Sequence, residues 1–318
     1  MPEWLIEQGI GETRAALVED GDIVEARIQL ECMTRVGSVI AARLTEVGTA
    51  GRNAVATDGD GNEYLLPRGA AGTTEGAKLT IEVTREAIPG GEPWKRPLAR
   101  VTHDPEKVAS PLRGERLPLP DSIDRLGNAG WNVLIDEARL GIVHFTGGEL
   151  RLSPTPAMTL IDVDGQLPAE QLAVAGARDA ARAIRRLDIG GSIGIDLPTV
   201  SGRAARQQAA AAIDAVLPQP FERTAVNGFG FVQIVRPRHR ASLLELAQHR
   251  PAFEARALLR RAALEPPGPK RLVSHPAVIA VLQARNSWIE ALARQLGGAV
   301  ELLGDASLPM SGGYAEKV

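Results

Sequence analysis

The chain has 318 residues, 44% hydrophobic and 24% charged, which fits two or three folded domains and excludes a largely disordered protein. No apolar run reaches the ~18 residues of a bilayer span, and Met1-Pro2-Glu3-Trp4 is no signal-peptide start, so a cytoplasmic protein without membrane contact is expected. The net charge of −3 hides an asymmetry: residues 1–70 carry −6 and residues 201–275 carry +7, which suits a polyanionic partner or, equally, an Arg-rich solvated helix face.

In chain order, residues 3–30 alternate apolar and polar around Glu19-Asp20-Gly21-Asp22 and predict a β-meander. Residues 36–101 are short strand-like runs broken by Gly48, Asp58-Gly59-Asp60-Gly61, Gly69, Gly72 and Gly90-Gly91, the pattern of a small barrel. Pro105, Pro111, Pro118 and Pro120 mark a connecting segment with little regular structure. Mixed structure follows over 121–155.

After Pro156 the pattern becomes strand (158–163), helix (170–187), strand (193–197), helix (203–217), then strands near 223–226 and 229–235. That alternation predicts an open, mainly parallel sheet. Ala177, Ala180, Ala181, Ile184 and Leu187 share one face of the first helix; Ala205, Ala209, Ala212, Ile213 and Val216 share one face of the second. An Arg-rich helical stretch (241–263), the linker Pro266-Pro267-Gly268-Pro269 and a last unit complete the chain. That unit is expected to have a strand at Leu272-Val273, a helix over 277–296 and a strand over 299–303.

Two acidic strand ends carry the chemistry. A period of two puts Leu160, Asp162 and Asp164 on one face and Ile161 and Val163 on the other; Asp196 shares a face with Gly194 and Ser192. A right-handed crossover through the first helix makes these strands parallel neighbours, which brings the three carboxylates to the C-terminal edge of the sheet. Carboxylates so placed repel one another and favour a hard cation, Mg²⁺ or Mn²⁺, able to assist phosphodiester chemistry. The alternative is three unrelated, solvated strand-end residues. Cys32 is the only cysteine, so a disulfide and a thiolate zinc site are excluded, and the five histidines have no ligand spacing. Trp94 and Trp288 read as packing residues, and His239 and His249 as surface side chains.

Around these residues the sequence resembles the bacterial ribonuclease E/G family. Pro156-Ala157-Met158-Thr159-Leu160-Ile161-Asp162-Val163-Asp164 is similar to the family's catalytic strand, and Arg186-Leu187-Asp188-Ile189-Gly190-Gly191-Ser192-Ile193-Gly194-Ile195-Asp196 to its second acidic strand. Gly11-Glu12-Thr13-Arg14, Gly147-Gly148-Glu149-Leu150, Asn227-Gly228-Phe229-Gly230, Val273-Ser274-His275-Pro276 and Gly297-Gly298-Ala299-Val300-Glu301 follow family elements in the same order.

The resemblance implies an RNase H-like unit (1–30 plus 121–155) interrupted by an OB-fold RNA-binding barrel (31–103), with a linker at 104–120. A deoxyribonuclease-I-like α/β catalytic subdomain (156–240), a basic helical connector (241–271) and a small C-terminal α/β unit (272–318) would follow. It implies a magnesium-dependent endoribonuclease of single-stranded RNA, leaving 5′-phosphate products, with Asp162 and Asp196 catalytic and Asp162, Asp164 and Asp196 holding Mg²⁺ (or Mn²⁺). Tyr64 and Lys95 on the barrel, with Arg203, Phe229 and Arg236, are the expected RNA contacts. The family's Cys-x-x-Cys zinc link has no counterpart, nor has its 5′-monophosphate sensor between Thr102 and Pro120; Asp164 replaces an asparagine and Val55 an aromatic. A non-catalytic RNA-binding protein of ribosomal RNA maturation is the alternative. The apolar face of the C-terminal unit leaves homodimerisation and packing on its own domain both open.

Overall fold

The computed structural model describes residues 3–31, 33–48, 53–90, 95–119 and 123–318. Cys32, Trp94 and Pro120 lie outside them. The meander forms as expected: β1 (Glu3–Gln8), β2 (Glu12–Glu19) and β3 (Asp22–Leu30) pair antiparallel in sequence order. Asp20 and Gly21 both take positive φ, as a two-residue hairpin turn requires.

Five strands then close a barrel in the order β4-β5-β6-β8-β7: β4 (Val39–Glu46), β5 (Ala54–Thr57), β6 (Glu63–Leu66), β7 (Lys78–Arg85) and β8 (Leu98–Thr102). Leu44, Tyr64, Leu66, Ile81 and Val83 fill its interior. The proline-rich segment beyond it is more ordered than expected. Within it β9 (Glu115–Leu117) pairs parallel to β1 as the fourth strand of the first sheet, because Leu117 buries itself in the main core.

Two helices, α1 (Arg125–Asn128) and α2 (Trp131–Leu140), lead into a second sheet. Its elements are β10 (Ile142–Phe145), β11 (Gly148–Pro154), β12 (Thr159–Gly165), α3 (Ala169–Arg186), β13 (Gly191–Asp196), α4 (Arg203–Val216), β14 (Glu222–Arg223) and β15 (Phe231–Arg236). The strand order is β10-β11-β12-β13-β15-β14. Two expectations need correction. The boundary drawn at residue 155 falls in the turn of a hairpin, since β11 pairs with β12 over its whole length, so residues 142–154 belong to the same sheet as the acidic strands. The sheet is also not mainly parallel: only β12 and β13 run parallel. The cause is the short β14, which enters after α4 and hands the chain to β15 through a hairpin, so β15 arrives reversed beside β13.

Helices α3 and α4 cover one face of this sheet. Their alanine-rich faces allow close approach, and Ala177, Ala180, Ile184, Ala209 and Ile213 join Ile161, Val163, Ile193 and Ile195 in one core. A Cβ on Gly176 would collide with Val163, so this mid-helix glycine sets how closely α3 sits on β12. Among the described residues no helix covers the opposite face, where Arg151, Ser153, Leu160, Asp162, Asp164 and Val235 are exposed.

The remaining elements are α5 (Leu243–Gln248), α6 (Arg250–Ala263), β16 (Lys270–Ser274), α7 (Pro276–Gln283), α8 (Asn286–Leu296), β17 (Val300–Gly304) and β18 (Tyr314–Lys317), the last strand unforeseen in the sequence. The expected single helix over 277–296 is two helices. The break at Ala284-Arg285 lets Val278, Ile279 and Leu282 of α7 and Leu292 and Leu296 of α8 all reach α6. That apolar face therefore packs on its own chain.

Of the two readings of this basic stretch, a polyanion-binding surface or a solvated helix face, neither describes two of its arginines. Arg256 and Arg260 of α6 are buried, because Glu7, Glu12 and Asp124 come from the first sheet and α1 to neutralise them. Arg14 completes the network, 2.7 Å from both Glu7 and Glu12. Among the described residues no helix is long and apolar enough to cross a membrane.

Candidate active site

The parallel pair β12–β13 creates the site. In its register Asp162 stands directly beside Asp196, Leu160 beside Gly194 and Ile161 beside Ile195. Adjacent strands lie about 4.8 Å apart, so both aspartates leave neighbouring backbones at one level of the open face. Asp164 lies two residues on, roughly 6.6 Å along β12 and on the same face. All three are exposed, whereas Ile161, Val163, Ile193 and Ile195 are buried beneath them.

Electrostatics follows from that spacing. Partial burial, then the charges of Asp164 and Asp196, hold the Asp162 carboxyl above the ordinary aspartate range. The neighbouring strand offers limited relief. Arg151 is the cross-strand partner of Asp162 and lowers its carboxyl, but its guanidinium is ion-paired 2.5 Å from Glu149, itself the cross-strand partner of Asp164. Glu149 and Arg151 carry no expected role, yet the alternation Glu149-Leu150-Arg151-Leu152 places both on the acidic face.

Among the described residues no three His, Cys, Asp or Glu side chains are gathered closely enough to hold a metal ion together. The arrangement is two carboxylates side by side with a third nearby. Mg²⁺ is commonly held by one or two carboxylates with water filling the other positions, so this donor set fits such an ion better than a fully enclosed one.

A rigid aromatic lies next to the acidic edge. Phe231 is the register partner of Asp196, and its ring rests on Gly194, where a side chain would have no room. In the preceding loop Phe229 is 81% exposed while its backbone is held firmly. The Asn227 carboxamide oxygen accepts from the amides of Phe229 (2.9 Å) and Phe231 (3.0 Å), and Thr199 Oγ1 donates to the Phe229 carbonyl at 3.0 Å. Gly230 has positive φ, and a Cβ there would strike the Leu197 carbonyl.

Helices α3 and α4 both start at this edge, because each follows one of the parallel strands. Arg206 fixes the loop entering α4 by donating to the carbonyls of Val200 and Ser201. Arg203 is exposed at the first turn and lines a cleft of about 400 Å³ with Arg206, Gln207 and Arg223. Phe229 and Arg203 are thus brought to the acidic edge.

Three expected RNA contacts are not. Tyr64 is 1% exposed and points into the barrel, because Glu63 and Leu65 take the outward positions of β6. Its hydroxyl hydrogen-bonds with Thr34 Oγ1 (2.8 Å) and donates to Asp58 (3.0 Å). No face of its ring is free for a base. Arg236 pairs with Gly191 at the far end of the sheet, roughly 17 Å along β15 from Phe231, and donates to the Ile189 carbonyl. Lys95 lines a small cleft with Pro154, Thr155 and Gln248, at the end where β12 begins rather than where its aspartates stand.

A mixed α/β protein with a closed five-stranded barrel and a half-covered sheet bearing paired aspartates is the class these features define. No protein-family model matches the chain, and no curated protein matches it.

Proposed function

We propose that this chain is a metal-dependent endoribonuclease acting on single-stranded RNA, of the kind its sequence resembles. The observation that carries the reading is the parallel register that sets Asp162 beside Asp196 at an open sheet edge, with Asp164 on the same face. Asp162 and Asp196 are the metal-holding carboxylates, and Asp164 assists them. Mg²⁺ or Mn²⁺ bound there supplies a Lewis acid and neutralises charge on the scissile phosphate. Phe229 stacks on a base, the interaction that single-stranded nucleic acids offer without regard to sequence. Arg203 and the N-terminus of α4 attract the phosphates on the same edge.

In this reading the barrel is an OB-fold that tracks the strand, β1–β3 belong to an RNase H-like unit, and β10–β15 form the deoxyribonuclease-I-like catalytic layer. The burial of Tyr64 removes one expected contact, so the barrel grips RNA through other surfaces.

The test is cleavage of an end-labelled, AU-rich single-stranded RNA with Mg²⁺ or Mn²⁺, comparing the wild type with Asp196→Ala and Asp162→Asn. Cleavage that disappears in both variants and with a chelator is the expected outcome. A second reading, a non-catalytic RNA-binding factor, is favoured by one observation: no closed set of three ligands is gathered among the described residues. RNA retained but uncut under every metal condition selects it.

A further inference from the structure

A second cleft lies away from the acidic edge. It has a volume of about 560 Å³, within the range of ligand-binding clefts. One wall is the face of the first sheet carrying Trp4, Thr13 and Gln29. The barrel supplies a second through Arg35 and Glu86. The third is the segment Ala109–Arg113, with Arg116 beyond it.

That third wall is anchored at both ends. Lys107 exchanges backbone hydrogen bonds with Val39 of the barrel, and the Ala109 amide donates to Ser38 Oγ at 3.1 Å. At the other end β9 is hydrogen-bonded to β1. The segment therefore bridges barrel and sheet as a fixed strap, and the cleft is preformed.

Its charge is unbalanced. Five arginines line it (Arg27, Arg35, Arg113, Arg116 and Arg240) against one carboxylate, Glu86. Arg27 is already engaged, ion-paired with Glu25 and lying 4.7 Å over the Trp4 ring, and Arg240 is paired with Asp188. Arg35, Arg113 and Arg116 make no ion pair or side-chain hydrogen bond among the described residues. Glu86 answers them only in part: it is 7% exposed and accepts from the Val36 amide, and burial outweighs the nearby charges of Arg240 and Arg35 to favour its neutral form. Arg113 and Arg116, with Arg35 beside the buried Glu86, give this preformed cleft an excess of positive charge that an anion would neutralise. Planar guanidinium forks suit phosphate oxygens in particular.

We propose that this cleft is a second nucleic-acid site, in which Arg35, Arg113 and Arg116 hold backbone phosphates of single-stranded RNA and the Trp4–Gln29 wall takes the adjoining sugar or base. It shares with the proposed function only the class of ligand and does not depend on hydrolysis. The site would tether an RNA to the molecule at a distance from the acidic edge.

The test is binding of a short fluorescent oligoadenylate with 5′-hydroxyl ends to the full chain, in chelator, over a range of salt. The variants are Arg113→Glu/Arg116→Glu and, separately, Asp196→Ala. Both arginines are exposed and unpartnered, so thermal melting should show the double variant folded as wild type. Expected is at least about tenfold weaker binding at low salt, with the slope of log affinity against log salt reduced by about 1.4, since each lost single-strand phosphate contact removes about 0.7. Cleavage by wild type and Asp196→Ala with metal is scored separately from chelator-stage binding, so a failed nuclease assignment and a failed cleft assignment give different results. Unchanged affinity and slope in the double variant would overturn the proposal. So would displacement of a bound adenosine nucleotide by the double substitution with RNA affinity unaffected, which would mark the cleft as a free-nucleotide site.

Discussion

Asp162 and Asp196 face one another across the only parallel strand pair of the six-stranded sheet, and the same register places Leu160 beside Gly194. Two like charges at one level of adjacent strands destabilise the protein when nothing neutralises them. The fold keeps them there by burying the alternate residues, Ile161 and Ile195, so neither strand can turn its aspartate away without exposing its core face.

The pH dependence of this arrangement has a definite sign. Because the Asp162 carboxyl is raised in the folded chain, the folded state binds more protons than the unfolded one between the ordinary aspartate value and the folded value. Stability falls as pH rises through that window, and the cost persists at neutral pH. Asp162→Asn removes the charge, so its melting temperature without metal should exceed the wild type's at pH 7. Mg²⁺ should raise the wild-type melting temperature, by the equivalent of about 2.7 kcal/mol at a hundredfold excess over Kd, and raise the variant's much less. A variant that melts lower than wild type, with an unchanged magnesium response, would remove Asp162 from the metal site.

Phe229 and Asn227 divide the work of the loop beside that site. The ring touches solvent, whereas Asn227 fixes the backbone that presents it. Phe229→Ala should therefore leave thermal stability almost unchanged and weaken single-stranded RNA binding by about 1–3 kcal/mol, the range for one stacked base. Asn227→Ala should lower stability by about 1 kcal/mol through its lost hydrogen bonds and weaken RNA binding less than Phe229→Ala does. Anisotropy titrations and thermal melts of both variants separate the two roles.

How far the sequence reveals this depends on the range of the forces involved. The aspartate faces were legible because a period of two is local, and the faces of α3 and α4 because alanine and isoleucine recur at helical spacing. The direction of β15 was not: a strand near 223–226 was expected, but its hairpin pairing with β15 and the placing of β15 beside β13 are long-range contacts that local periodicity does not carry. The inward Arg256 and Arg260 look in sequence like any solvated helix face; their partners Glu7 and Glu12 stand more than two hundred positions earlier. Tyr64 is different. The alternation Glu63-Tyr64-Leu65-Leu66 was consistent with an inward ring, and only the resemblance pointed outward.

Tyr64 yields a direct check of that correction. Burial raises its hydroxyl to about 12, and the bond to Asp58 acts in the same direction. The phenol should stay protonated in an ultraviolet titration to pH 11, provided the barrel remains folded. Tyr64→Phe should lower stability by about 0.5–1.5 kcal/mol through the loss of its hydrogen bonds to Thr34 and Asp58. RNA affinity should not change, because the ring is out of reach. A loss of RNA affinity in the folded Tyr64→Phe protein would restore a binding role.

The ionic network joining the first sheet to α6 should dominate the response to charge-removing substitutions. Glu7 is 3% exposed and meets Arg14 at 2.7 Å and Arg260 at 2.9 Å. Glu7→Gln leaves both guanidinium groups short of a buried counter-charge and should cost about 3–5 kcal/mol, toward the lower end because Glu12 and Asp124 remain. The solvent-facing pair Arg223–Asp214 provides the contrast, and Asp214→Asn should cost at most about 1 kcal/mol. Acid acts on the same network through Asp124. Burial would raise its carboxyl, but the Arg260 guanidinium and the Gly127 amide outweigh burial and hold it below the ordinary range. Its contribution is complete above the unfolded-state value and is lost as pH falls through the folded one. Chemical denaturation from pH 6 down to pH 2 should show Asp124→Asn less stable than wild type at the upper end, with the difference shrinking toward the lower. A constant difference across that range would mean that the Asp124–Arg260 pair contributes nothing to acid stability.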